Sequence, residues 1–176
     1  MFGGRVVSLR RRWGVARWGL WLEGRGIPAV GVFWVATEDH DFDEIAACAL
    51  SSGAELRSPR LGEDSQPLLP VGMRTLGPEV EAVLQEAAEL YPSELALPVI
   101  EALRSTYRPD ARIGEAFCRF MCWLTGENAP LLLDSMLPAL KEAEAPWMGR
   151  LVEQRRDVCE ALDLAGERTL AAGLKL

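Results

Sequence analysis

The residues best suited to chemistry lie in one acidic run, Glu38-Asp39-His40-Asp41-Phe42-Asp43-Glu44. It holds the only histidine of the chain, a residue type that can bind a transition metal or move a proton near neutral pH. Asp39, Asp41 and Asp43 alternate like the first ligands of a calcium loop, but the glycine and glutamate that complete such a loop are missing. We therefore predict Asp39, His40, Asp41 and Asp43 as a candidate metal site. The competing interpretation is a solvated helix start, where carboxylates are favoured by the helix dipole.

The cysteines offer a second possible metal site. Cys118 and Cys122 stand one helical turn apart, and two thiolates on one side of a helix could contribute to a zinc site. Four ligands are usual for structural zinc, so Cys48, Cys159 or His40 would have to converge from other elements. No C-x-x-C pair occurs, and large apolar residues surround the first pair. The pattern favours free thiols in a reducing cytoplasm, and no cofactor is predicted.

Arginine and tryptophan are concentrated at the amino terminus. Residues 1–26 carry six Arg and one Glu, a charge of +5, whereas residues 27–176 carry 13 basic and 25 acidic groups, a charge of −12. Arg and Trp are favoured at interfaces, so Arg12, Trp13, Arg17 and Trp21 are predicted to bind a partner. The acidic remainder disfavours nucleic acid as that partner.

Sequence motifs of catalysis are missing. The chain has no phosphate-binding glycine loop, no dinucleotide fingerprint, no nucleophile elbow and no H-E-x-x-H zinc motif. We therefore predict a non-enzymatic cytoplasmic protein that binds another protein, such as an adaptor, regulator or immunity-type inhibitor. Small molecules, nucleic acid and membranes are disfavoured as partners. Two alternatives stay open: a metal-dependent enzyme at the acidic cluster, and attachment to a membrane or nucleic acid through the Arg/Trp-rich amino terminus.

The elements that would position these residues change type along the chain. Residues 15–23 alternate between apolar and mixed positions, and residues 29–36 are apolar and β-branched, with a turn signal at Gly24-Arg25-Gly26. This pattern predicts an antiparallel hairpin. An amphipathic helix over the same amino-terminal residues is the alternative, because an apolar stripe follows helical spacing there. Four glycines oppose that helix, each at a cost of about 1 kcal/mol relative to Ala. The stripe consists of Phe2, Val6, Leu9, Trp13, Ala16 and Leu20.

Beyond the hairpin the sequence predicts mainly helices. Asp39 or Asp41 can cap a helix over residues 42–51, and residues 59–77 are rich in Pro and Gly. From Pro78 onward helical periodicity dominates, including a helix from about Asn128 through Leu140. The predicted fold class is α+β: a small antiparallel sheet of two to four strands with one helix, then a bundle of about five helices. The predicted domains are a 1–58 α+β unit with the hairpin, a 59–77 connection and a 78–176 helical bundle, and a single continuous domain is the alternative.

Overall fold

The computed structural model describes residues 6–126 and 130–175. The chain forms two compact units, Met1–Met136 and Leu137–Leu176. The predicted division into a 1–58 unit, a 59–77 connection and a 78–176 bundle, with one continuous domain as its alternative, stays a prediction.

The first unit mixes helices and short strands. In order along the chain these are α1 (Val6–Glu23), β1 (Val32–Val35), α2 (Phe42–Ala46), β2 (Leu50–Ser52), β3 (Glu55–Arg57), a 3₁₀ turn (Val71–Met73), α3 (Glu79–Leu90), α4 (Leu97–Thr106), α5 (Ile113–Thr125) and β4 (Leu131–Asp134). The second unit consists of α6 (Pro138–Glu153) and α7 (Arg155–Ala171).

The strands form two separate pairs. β1 and β4 are parallel and in register from Val32 with Leu131 to Val35 with Asp134. β2 and β3 form a short antiparallel hairpin, and its turn contains Gly53 at φ +59°, a conformation that glycine adopts without strain. A parallel pair needs a long crossover connection, which here is the whole segment from α2 to α5.

The core lies among α3, α4 and α5. Each helix buries one apolar face, as its helical spacing predicts, and the 3₁₀ turn and α2 close the cluster. Tyr107 and Phe120 meet edge to face at 6.2 Å between ring centroids. The buried side chains of these three helices include Val80, Val83, Leu84, Ala87, Ile100, Leu103, Ile113, Ala116 and Phe120.

The predicted amino-terminal hairpin is wrong, because residues 6–23 form α1. The glycines within α1 do not prevent the helix, and the close approach of the next segment to α1 depends on Gly31, which lies outside the helix. A Cβ placed on Gly31 would lie 2.9 Å from Cγ1 of Val15, and one placed on Gly19 would lie 3.5 Å from the Gly31 nitrogen. The segment before β1 therefore runs directly against α1, and this contact depends on glycine. The alternative, a helix, agrees with this segment, but two residues of its predicted apolar stripe, Trp13 and Leu20, are exposed.

The helix predicted from about Asn128 is also wrong. Residues 131–134 form β4, and α6 begins only at Pro138. A short apolar run cannot be assigned to helix or strand by its own periodicity, and the partner strand β1 lies far away in sequence. Residue 128 itself lies outside the described residues.

Other predictions agree with the structure. α3, α4 and α5 lie in the region from Pro78 onward that the sequence predicts as helical. The helix after Asp41 is shorter than predicted and ends at Ala46, since residues 50–52 pair as β2. The mixed α/β composition is thus confirmed, whereas the sheet-then-bundle order is not. Within the described residues, no helix has the length and apolarity that crossing a membrane requires.

Candidate functional site

The candidate site lies where the parallel strands β1 and β4 end. Thr37 and Glu38 follow β1, while Asp134 ends β4 and Ser135 follows it. Parallel strands bring their carboxyl ends to the same edge, and open α/β sheets bind ligands just beyond that edge. Four polar side chains therefore meet at the position where this architecture places a ligand.

Hydrogen bonds tie the two strand ends together. The Thr37 hydroxyl donates to the Asp134 carboxylate, and the Ser135 hydroxyl donates to the Glu38 carboxylate. The Ser135 oxygen also accepts from the backbone nitrogens of Thr37 and Glu38, at 3.1 and 3.2 Å. Thr37 and Ser135 are buried, whereas Glu38 is exposed and Asp134 half-buried. The network fixes both carboxylates at the edge while leaving them open to a ligand.

Two glycines allow neighbouring elements to approach this edge. A Cβ on Gly72 would lie 2.9 Å from the Thr37 Cβ and 3.2 Å from the Thr37 carbonyl oxygen. A Cβ on Gly114, in the first turn of α5, would lie 2.7 Å from the Thr37 Cγ2 and 3.6 Å from an Asp134 carboxylate oxygen. Any larger residue at either position would displace Thr37, so both glycines help to define the site.

The acidic run continues from β1 along this edge. The Asp39 carbonyl accepts from the Val71 nitrogen at 2.7 Å, which anchors the run to the 3₁₀ turn. His40 is exposed, and its Nδ1 lies 3.8 Å from an Asp39 carboxylate oxygen. Asp39 and His40 thus lie beside the strand ends and face solvent.

The other two predicted metal ligands are engaged elsewhere. Asp41 caps α2 by accepting from the Glu44 nitrogen at 3.2 Å, and Asp43 pairs with Arg60. Among the described residues no three His, Cys, Asp or Glu side chains are grouped so that they could hold a metal ion. The metal site at Asp39, His40, Asp41 and Asp43 stays a prediction, and the structure brings only its first two members together at the edge.

A buried arginine organises the loop beneath the acidic run. Arg74 donates to the backbone oxygens of Leu69 and Gln66, at 3.0 and 2.7 Å, and to both oxygens of Asp64. Its guanidinium also lies 4.8 Å from the centroid of the Phe42 ring. The bond from Arg74 is the main cause that lowers the pKa of Asp64 below its ordinary value. Arg74 therefore stabilises the loop of residues 64–74, which includes the 3₁₀ turn that binds the acidic run.

The residues predicted to bind a partner do not share one surface. Trp13, Arg17 and Trp21 are exposed on α1, and Trp21 lies edge to face with Trp18 at 5.3 Å. Arg12 is fully buried instead. The sequence pattern could not distinguish this arginine from its neighbours, because all of them lie in one run of like charge.

Sequence reasoning missed Thr37, Asp134 and Ser135. The available signal was polar residues directly after an apolar β-branched run, which marks the carboxyl end of a buried strand. This signal was readable after β1. It was hidden after β4, because that segment was assigned to a helix.

Comparison with known proteins adds the family. Residues 23–176 match the family model described as "Bacillithiol biosynthesis BshC, N-terminal Rossmann-like domain". Relatives named "Putative cysteine ligase BshC" include proteins of Salinibacter ruber, Solibacter usitatus and Symbiobacterium thermophilum. Their identities are 33%, 30% and 33%, over 83%, 92% and 80% of this chain.

The matched region is only part of these relatives. The chain spans 27%, 30% and 28% of the lengths of the three proteins. The family match covers β1, the acidic run and β4, and therefore all four polar side chains at the strand ends.

These findings overturn three of our predictions. A non-enzymatic adaptor, regulator or immunity-type inhibitor is wrong, because the relatives are named as a ligase of a biosynthetic family. A protein as the main partner and the exclusion of small molecules are wrong for the same reason. The absence of a catalytic sequence motif misled us, since this edge is assembled from residues nearly one hundred positions apart.

Proposed function

We propose that this chain supplies a cysteine-binding site to a ligase, because the chain belongs to the BshC family of bacillithiol biosynthesis. The observation that carries the proposal is the polar network at the carboxyl ends of β1 and β4. It lies in the matched region, and its position is the one that open α/β sheets use for ligands.

The chemistry of the edge suits an amino acid. At neutral pH free cysteine carries an ammonium group, and this group needs anionic acceptors when it leaves water. Glu38 and Asp134 supply two carboxylates whose positions are fixed by the Ser135 and Thr37 hydroxyls.

The location proposed for this activity is the cytoplasm. All four cysteines are free in the structure, as thiols are in a reducing compartment.

Titration of L-cysteine into the full chain by calorimetry tests the proposal. We expect binding by the wild type, weaker binding of L-serine, and a loss of at least about tenfold in affinity for L-cysteine in Asp134→Asn, since a charged hydrogen bond is removed. Asp163→Asn in α7 is the matched control, because it removes one exposed carboxylate outside the site.

Two results would contradict the proposal. One is a wild-type chain that binds L-cysteine no better than L-serine. The other is an equal loss of affinity in Asp134→Asn and Asp163→Asn.

A further inference from the structure

Arg12 is a buried cation without a visible partner. Its side chain has no exposed surface, and none of its three guanidinium nitrogens has a hydrogen-bond partner among the residues that the structure describes. A buried charge is stable only when it is paired and hydrogen-bonded. A buried guanidinium is therefore expected to have an anion as its partner.

The path of the chain places Arg12 beside β1. After α1 the chain reverses at Gly24–Gly26, with the Ile27 nitrogen bonded to the Leu22 oxygen at 3.1 Å. By Gly31 it lies against Val15, so the chain enters β1 running back along α1. Arg12 is one helical turn before Val15 and on the same face. β1 therefore runs back along the part of α1 that carries Arg12.

The charge of Arg12 also acts on a thiol beside the end of β4. The thiol of Cys118, on α5, has a pKa that burial raises most, that the charge of Asp134 also raises, and that the charge of Arg12 lowers. Gly114, one turn before Cys118, is the residue that packs against Asp134 and Thr37. The charges of Asp134 and Arg12 thus act on the same thiol in opposite directions.

The nearby carboxylates already have other partners. Asp134 accepts from the Thr37 hydroxyl and from the Met136 nitrogen at 2.9 Å, and Glu38 accepts from Ser135. Among the described residues, no guanidinium nitrogen of Arg12 is hydrogen-bonded to either acid. Neither acid neutralises Arg12. A ligand bound at this edge would supply the missing anion.

We infer that Arg12 binds an oxyanion of the ligand, a carboxylate or a phosphate group, at the carboxyl ends of β1 and β4. The inference rests on the proposed function, because it places the ligand at the same edge. The guanidinium of Arg12 is a planar fork of donors, which suits an oxyanion with two acceptor oxygens. The residue comes from α1, before the segment that matches the family, so the family match itself gives it no role.

Calorimetric titration with sodium phosphate and with sodium acetate tests the inference, with sodium chloride at equal ionic strength as the blank. Arg12→Met keeps an apolar side chain of similar length, and Arg11→Met removes the same charge at the exposed neighbour. We expect the wild type to bind at least one oxyanion, with affinity reduced about tenfold or more by Arg12→Met and unchanged by Arg11→Met. The preferred titrant identifies the group as phosphate or carboxylate.

A second measurement separates a ligand-binding arginine from a structural one. Without a ligand, Arg12→Met should unfold at the wild-type temperature or above it, because the variant no longer buries an unpaired charge. A lower unfolding temperature, or failure to fold, overturns the inference. So does a wild type that binds neither oxyanion, or equal affinities in Arg12→Met and Arg11→Met.

The L-cysteine titration and the oxyanion titration can disprove the two proposals separately. Oxyanion binding that depends on Arg12 without cysteine binding would remove the proposed function and keep an anion site. If the chain binds L-cysteine but Arg12→Met leaves the oxyanion affinity unchanged, the proposed function stands and this inference is wrong.

Discussion

The helical core and the strand-end edge of the first unit are held together in different ways. The core of α3, α4 and α5 is apolar, and its residues come from helices that follow one another in sequence. The edge is polar, and its hydrogen bonds join residues 97 or 98 positions apart. Stability is concentrated in the core, whereas the shape of the edge depends on a few hydrogen bonds and two glycines. Substitutions in the two regions should therefore affect different measurements.

The largest effect is expected in the core. Phe120 is buried, meets Tyr107 edge to face and stacks on Trp123 at 5.8 Å between ring centroids. Phe120→Ala should lower the free energy of unfolding by about 3–5 kcal/mol, because it leaves a cavity in a packed core. Urea denaturation measures this loss. The affinity for L-cysteine should stay the same while the variant is folded, and a parallel loss of affinity would break the comparison.

A smaller effect is expected at the edge. Gly72→Ala forces its new methyl group onto Thr37, so we expect a loss of about 1–3 kcal/mol in stability together with weaker binding of L-cysteine. Gly14→Ala is the matched control, since a Cβ at this position in α1 meets nothing within 4 Å. It should raise stability by about 0.5–1 kcal/mol through the helix propensity of alanine. Equal effects of the two substitutions would show that packing against Thr37 is unimportant.

The loop below the edge should make stability depend on pH. The folded-state pKa of Asp64 lies below its ordinary value of 3.8, chiefly through the hydrogen bond from Arg74. The stability that this pair provides is fully present above that ordinary value and is lost as the pH falls through the folded-state pKa. In urea denaturation series from about pH 6 to about pH 2, Asp64→Asn should lose less stability than the wild type. Asp163→Asn is the control and should lose as much stability in acid as the wild type does. If Asp163→Asn lost as little as Asp64→Asn, this expectation would be wrong.

The smallest effect is a difference in thiol reactivity. Burial, followed by the charge of Asp134, raises the pKa of Cys118 to about 11, so this residue stays a thiol near pH 8. Iodoacetamide at that pH should modify the exposed Cys122 and Cys159 first, as peptide mass spectrometry can follow. Asp134→Asn should speed modification of Cys118, because it removes a neighbouring negative charge. Equal rates for Cys118 and Cys122 in the wild type would argue against the burial of this thiol.

The predictability of the fold followed the range of the interactions. α3, α4 and α5 were found from the sequence because an amphipathic pattern defines each of them locally, and Pro78 marks the start of α3. α1 was missed because its glycines are unfavourable in a helix and residues 15–23 also alternate as a strand does. β4 was missed because an apolar run of four residues has no period of its own.

Only the part of the candidate site that follows β1 could be predicted, because the remainder depends on contacts between distant segments. The acidic run after β1 was recognised as chemically important, since its composition alone singles it out. Asp134 and Ser135 carry no such pattern, and only the pairing of β4 with β1 brings them to Thr37 and Glu38. The sequence by itself determined the helical core and the concentration of acid after β1, because both arise from neighbours along the chain. The tertiary structure alone decided which polar residues share the edge and that Arg12 is buried, because these depend on contacts between segments that are distant in sequence.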